Sequence, residues 1–164
     1  MTDADLAPYR DLLASSVVFR GFDAADLDAV LAGCRLVRLQ AGEPVLTEGQ
    51  WAAGLYVICE GRIEFFLPEH GPHGRRSTRV RLNALGPGRC FGEYGLIDDK
   101  PSSASATALT PGRLCFLPRE EFRRLTEHSE RIGRLVYQNL LAFLVARLRS
   151  KDQELDVFLL DESR

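Results

Sequence analysis

The stretch FGEYGLIDDKPSSASATAL, Phe91 to Leu109, decides how the rest of the chain is read. Gly92 and Gly95 bracket one carboxylate, Glu93, beside Tyr94; Leu96 and Ile97 then lead across two acids to Pro101 and the small side chains of Ser102, Ser103, Ala104 and Ser105. Glycine lets the backbone approach another group closely, small residues leave room, and hydroxyls donate hydrogen bonds. A cradle for a small anionic ligand fits this pattern, and so does a tight structural turn.

On both sides, from Arg35 to Leu117, the chain alternates short β-rich runs with glycines. The runs are RLVRL, PVLTE, GLYVICE, RIEFFLP, TRVRLNAL, RCFGE, SASATAL and RLCFLP, with Gly42, Gly49, Gly61, Gly88 and Gly112 between them. A spacing of about ten residues between turn signals predicts an antiparallel sandwich or barrel. Glu60-Gly61 joins two strong runs and reads as a hairpin turn in which glycine supplies a positive φ. The loop EHGPHGRRS, Glu69 to Ser77, reads as the mobile tip of a long hairpin with solvated arginines.

Before the strands, FDAADLDAVLAGC predicts a helix capped by Asp23, with Leu27, Val30 and Leu31 on one face and Gly33 at its end. After Pro118 the period becomes helical again: PREEF places two glutamates in a first turn, where the helix dipole favours them. Ser129 then opens a long helix whose apolar face runs through Ile132, Leu135, Val136, Leu140, Phe143, Leu144 and Leu148, then Leu155, Phe158 and Leu159. At about 30 residues it would be roughly 45 Å long, too long for a small barrel to cover. Its remaining stripe predicts a homodimer through this helix. The expected organisation is one domain over 1–164: an N-terminal helical segment (1–33), a β-barrel (34–118) and C-terminal helices (119–164).

Composition narrows the function classes. With 45% hydrophobic and 27% charged residues, the chain is an ordinary globular one. A formal net charge of −2 gives no global attraction to nucleic acid. The N-terminus MTDADLAPYRDLL lacks the basic and apolar regions of a signal peptide, and Leu140 to Ala146 is too short to cross a bilayer. A cytoplasmic location is expected. Cys34, Cys59, Cys90 and Cys115 are too far apart for zinc or redox motifs, and His70, His73 and His128 form no ligand set, so no metal is expected. No catalytic arrangement is visible either, so no enzyme is expected.

A glycine-punctuated barrel, a short helix and a long helix, with FGEYGLI near the sixth strand, resemble the cyclic-nucleotide-binding domain of the catabolite activator family. VFRGFDAADLDAVLAGCRLVRLQAGEPVLTEGQ resembles that family's opening helix and first strands, LYVICEGRIEFFL its glycine hairpin, and LGPGRCFGEYGLI the start of its phosphate-binding cassette. The resemblance implies a fold that is mainly β with flanking helices, a double-stranded β-helix (jelly-roll) barrel followed by a short and a long C-terminal helix. It implies a ligand-sensing regulatory domain whose ligand is cyclic AMP or cyclic GMP, with no other cofactor. The implied ligand-binding residues are Gly92, Glu93, Tyr94, Gly95, Leu96, Ser102, Ser103 and Ala104, with Glu93 on the ribose. The long helix also contacts the base in this family, which points to the region of Arg149, Ser150 and Lys151.

One position departs from the family. The pattern after the cassette proline carries an arginine that neutralises the cyclic phosphate, and here Ser102 stands there. A hydroxyl offers one neutral hydrogen bond where a guanidinium offers a charged pair. Losing about 1.5 to 3 kcal/mol weakens binding about ten- to a hundredfold. Three readings stay open at this point. A neighbouring strand supplies the charge through Arg79, Arg81 or Arg113; the cradle takes a different or less charged ligand; or the cassette is vestigial and the chain is a ligand-free dimerisation or docking module. DESR after Leu160 leaves no room for a helix-turn-helix, so no direct DNA binding is expected.

Overall fold

A computed structural model describes residues 6–161, with side chains to residue 153. The segments 1–5 and 162–164, and the side chains expected to continue the helix stripe at Leu155, Phe158 and Leu159, lie outside the described residues. A 3₁₀ turn, Ala7–Tyr9, leads into α1 (Arg10–Ser15) and α2 (Ala24–Ala32). Asp23 caps α2 as its sequence predicts, accepting from the Asp26 amide at 2.8 Å.

Ten strands follow: β1 (Arg35–Leu39), β2 (Pro44–Leu46), β3 (Gly54–Glu60), β4 (Ile63–Leu67), β5 (His70–Gly71), β6 (Gly74–Arg75), β7 (Val80–Leu85), β8 (Cys90–Phe91), β9 (Ser105–Ala108) and β10 (Gly112–Pro118). The helix α3 (Tyr94–Ile97) lies between β8 and β9, and α4 (Arg119–His128) and α5 (Glu130–Asp161) close the chain. Two four-stranded antiparallel sheets, ordered β1-β10-β3-β8 and β2-β9-β4-β7, form the jelly roll. At the β3-β4 turn Gly61 has φ +85°, and an added Cβ would lie 2.7 Å from the Pro111 carbonyl oxygen. That turn admits only glycine.

Strand β3 shows why GLYVICE reads as an unbroken apolar run. Tyr56 and Ile58 face the other sheet, where they pack with Leu39, Ile63, Phe91, Ala106 and Leu114. Leu55, Val57 and Cys59 face the opposite way, against Leu13, Val18, Phe19, Val30, Phe122, Ile132, Val136 and Leu140 of the helical segments. Both faces of the strand are therefore buried, as in the centre of any sheet covered on two sides. The four cysteines are free and buried in this second layer. Burial pushes the Cys59 and Cys90 thiols up to about 12, so they behave as small core residues.

The segment Glu69–Ser77 differs from the expected solvated tip. β5 and β6 pair into a small hairpin, and Arg76 beyond it turns inward onto Glu48, donating to Oε2 at 2.9 Å and to Oε1 at 2.7 Å. A third bond runs to the Pro68 carbonyl at 2.9 Å. Glu48 is buried, and a buried carboxylate needs a partner of this kind.

Candidate functional site

The cassette begins where β8 leaves β3. Gly92 has φ +82°, and a Cβ there would lie 2.5 Å from the Gly54 carbonyl oxygen, so only glycine lets the backbone turn away from the sheet at this point. Glu93 follows as the residue before α3. Arg119, at the start of α4, donates to the Gly95 carbonyl at 2.6 Å and pairs with Asp99. The far end is pinned by backbone bonds: the Gly49 amide donates to the Ser102 carbonyl, and the Ser102 amide to the Gln50 carbonyl, each at 2.8 Å. The cassette is a fixed loop held by three separate elements.

Under it lies a cavity of about 250 Å³. Phe65, Phe91, Leu46 and Leu85 line its apolar part, and Gly92, Glu93, Tyr94, Gly95, Ser102, Ser103 and Ala104 its cassette side. Glu93 is 2% exposed. Arg147 of α5 is a charged partner, its Nη1 donating to Oε1 at 3.2 Å. Burial raises the Glu93 carboxyl above its ordinary range, against the opposing pull of a backbone hydrogen bond and of the Arg147 charge. Arg147 also lies 5.7 Å from the Tyr94 ring centre, within cation–π range.

Seven of the eight cassette residues singled out from the sequence line this cavity. Leu96 is the exception: it packs against the helical core and does not line the cavity. Its position one residue before the end of a four-residue helix turns it to the side facing β3.

The basic candidates fall elsewhere. β7 pairs with β4 as Phe65↔Asn83 and Phe66↔Arg81, so Leu82 is an extra residue in a β-bulge. The bulge reverses the alternation of β7. Asn83 and Leu85 share the inward face with Phe65, whereas Arg81 lies opposite Phe66 on the outer face, bonded by Nε to Glu64 at 3.0 Å. Arg79 pairs with the same Glu64 and covers the Phe66 ring. Arg113 bonds Glu60 at 2.8 Å and the Tyr9 hydroxyl at 2.7 Å, joining the barrel to the N-terminal helical segment. None of the three lines the cavity.

On α5 the residue at the cavity is Arg147, while Arg149 and Ser150 are exposed. Two residues along an α-helix turn the side chain by roughly 200°. The signal that locates Arg147 is its spacing from Leu140 and Phe143, inward-facing residues seven and four positions earlier. Among the described residues no group of three His, Cys, Asp or Glu side chains is placed to hold a metal ion. No helix among them is long and apolar enough to cross a membrane.

A buried acid, a cation from a separate helix and a glycine-built cassette under an aromatic floor define a small-ligand pocket in a jelly roll. Residues 36–129 match the family of the cyclic nucleotide-binding domain, and the chain belongs to that family. It is 33% identical over 152 residues to the cyclic AMP receptor protein of Thermus thermophilus, covering 93% of this chain and 66% of that protein. It is 25% identical over 140 residues to the cAMP-dependent protein kinase regulatory subunit of Eremothecium gossypii, covering 85% of this chain and 28% of that protein. The crystal structure of the Thermus thermophilus catabolite activator protein superimposes with a TM-score of 0.71 at 32% identity, over 87% of this chain and 63% of that one. This chain therefore spans about two thirds of the receptor protein's length and under a third of the kinase subunit's.

Proposed function

We propose that the chain is a regulatory domain that senses cyclic AMP and supplies the phosphate charge from α5. The observation that carries this reading is the Glu93–Arg147 pair inside the cavity. Glu93, as an acceptor-only group when ionised, suits a ribose hydroxyl; Arg147 suits the phosphate. In the structure each serves as a partner for the other. On binding they exchange one another for ligand groups, so neither is left buried without a partner.

That exchange would couple the ligand to the helix. Arg147 belongs to α5, whereas Glu93 belongs to the cassette, so a ligand that replaces their mutual contact changes what holds α5 to the barrel. Only a difference in affinity between two helix positions shifts a population, and this pair is where such a difference would arise. The two relatives, a receptor protein and a kinase regulatory subunit, are named as regulators, which supports a regulatory rather than catalytic role. We assign dimerisation to the outer face of α5.

A second reading has its own support. With Ser102 at the arginine position, the internal pair can equally serve to close a ligand-free cassette. Calorimetric titration with cyclic AMP separates the two. The unaltered protein should bind, and Glu93→Ala and Arg147→Ala should each weaken binding by about tenfold or more, the worth of one charge-assisted hydrogen bond. Absence of binding by the unaltered protein up to millimolar cyclic AMP would establish the closed cassette instead.

A further inference from the structure

One wall of the cavity is held in place from behind. Ser102, Ser103 and Ala104 line it, and both ends of residues 102–105 are tied to a single turn, residues 47–50, between β2 and β3. The Gly49 amide donates to the Ser102 carbonyl and the Ser102 amide to the Gln50 carbonyl, while the Glu48 amide donates to the Ser105 hydroxyl oxygen at 3.0 Å. The Gln50 amide closes the turn on the Thr47 carbonyl, also at 3.0 Å. The place of the wall is therefore the place of this turn.

The turn is anchored in its own right by a pair that does not reach the cavity, since neither Glu48 nor Arg76 lines it. Arg76 meets both oxygens of the Glu48 carboxylate and the Pro68 carbonyl, and its own amide donates to the Glu69 carbonyl at 2.7 Å. The hairpin β5-β6 closes over the pair: a Cβ added at Gly71 would lie 2.5 Å from Arg76 Nη1 and 2.6 Å from Glu48 Oε2. A buried ion pair is often no better for stability than apolar residues of the same volume, whereas a two-pronged guanidinium–carboxylate contact fixes direction as well as distance. Fixed direction is what a turn that carries a binding wall needs.

We infer that Arg76 is a positioning residue for the ligand: through Glu48 it holds the 47–50 turn, and with it the hydroxyl-bearing wall at Ser102 and Ser103, where the anionic group of the ligand needs them. This rests on the cyclic-nucleotide reading above. With serine at position 102 the wall has only neutral hydrogen bonds to give, and these weaken steeply as distance and angle drift. A long guanidinium could follow a displaced phosphate; a short hydroxyl on a loop cannot. The placement of the turn therefore enters the affinity directly.

The experiment is calorimetric titration of the full chain with cyclic AMP, for the unaltered protein and for Arg76→Ala combined with Glu48→Gln, at a temperature where unfolding curves show both fully folded. The double variant leaves no charge buried alone, and in a folded population stability by itself does not alter affinity. It should bind about tenfold more weakly, the worth of one or two neutral hydrogen bonds. Amide hydrogen exchange supplies the readout that a merely structural role would not move: Gly49 and Ser102 should lose protection while the amides of β3 keep theirs. Arg76→Lys, which keeps the charge without the fork, covers the case in which the double variant does not fold, and should lose about threefold or more. Affinities within about twofold of the unaltered protein in the folded variants would overturn the inference and leave the proposed function standing. Weaker binding with unchanged protection at Gly49 and Ser102 would also overturn it, because the loss would not run through the turn. If the unaltered protein does not bind cyclic AMP, the proposed function falls and this inference falls with it.

Discussion

Burial leaves Glu93 with a carboxyl that holds its proton above the ordinary range, because the charged form loses more hydration in the cavity than the backbone and Arg147 return. An unfolded glutamate ionises near about 4.3. Between that pH and the raised folded value the native state keeps a proton that the unfolded chain has released. Stability therefore falls as pH rises through this window, and above it the whole loss is in place. Glu93→Gln keeps the shape and removes the charge, and the freed Arg147 is exposed enough to be hydrated. The variant should consequently gain stability relative to the unaltered protein on going from about pH 4 to pH 7, as read by urea unfolding at both. A gain that does not grow with pH would mean that burial does not govern Glu93. The carboxylate costs stability where a ligand would use it, a common trade at functional sites.

The elements around the site divide by whether local pattern or register determines them. The strands are legible because alternation and turn glycines are written within each run, and the cassette is legible because Gly92, Glu93 and Gly95 are close in sequence. The bulge at Leu82 is not, since nothing within VRLNAL marks the extra residue; it appears only when β7 is paired with β4. That single register shift sends Arg81 outward, where unbroken alternation from Leu85 and Asn83 would have turned it inward. The hairpin β5-β6 is similar: GRRS looks solvated in isolation, and its role depends on Glu48, 28 residues before Arg76. The Glu48 amide in turn donates to the Ser105 hydroxyl oxygen at 3.0 Å, at the start of β9, the strand that continues the cassette. Arg76→Ala would leave the Glu48 carboxylate buried without its partner, at a cost of about 3 kcal/mol. Glu48→Gln added to it should recover much of that loss, because the amide needs less solvation than the ion. Denaturant unfolding of the two variants checks this. An Arg76→Ala protein as stable as the unaltered one would show that the hairpin is not held by the pair.

Across the whole molecule, α5 links the helical core to the cavity. Ile132, Val136 and Leu140 fix its first half in the helical core, and the Asn139 amide donates to the Val18 and Arg20 carbonyls at 2.9 and 2.8 Å. Further along, Arg147 reaches the cavity. The other side presents Tyr137, Leu141, Val145 and Leu148, spaced four, four and three residues apart, as a coiled-coil seam is. Leu141 and Leu148 are 64% and 63% exposed, so the line is apolar surface open to solvent. If this stripe is where two copies meet, the seam and the ligand contact sit on one rigid rod, and a small rotation that follows Arg147 would be felt along the seam. Sedimentation of the unaltered protein should then give a dimer, and Leu141→Glu with Leu148→Glu a monomer. Because both side chains already face solvent, the double variant should keep the helix content and thermal stability of the folded monomer. A monomeric unaltered protein would remove the dimer from the mechanism and leave Arg147 to act on a different partner of α5.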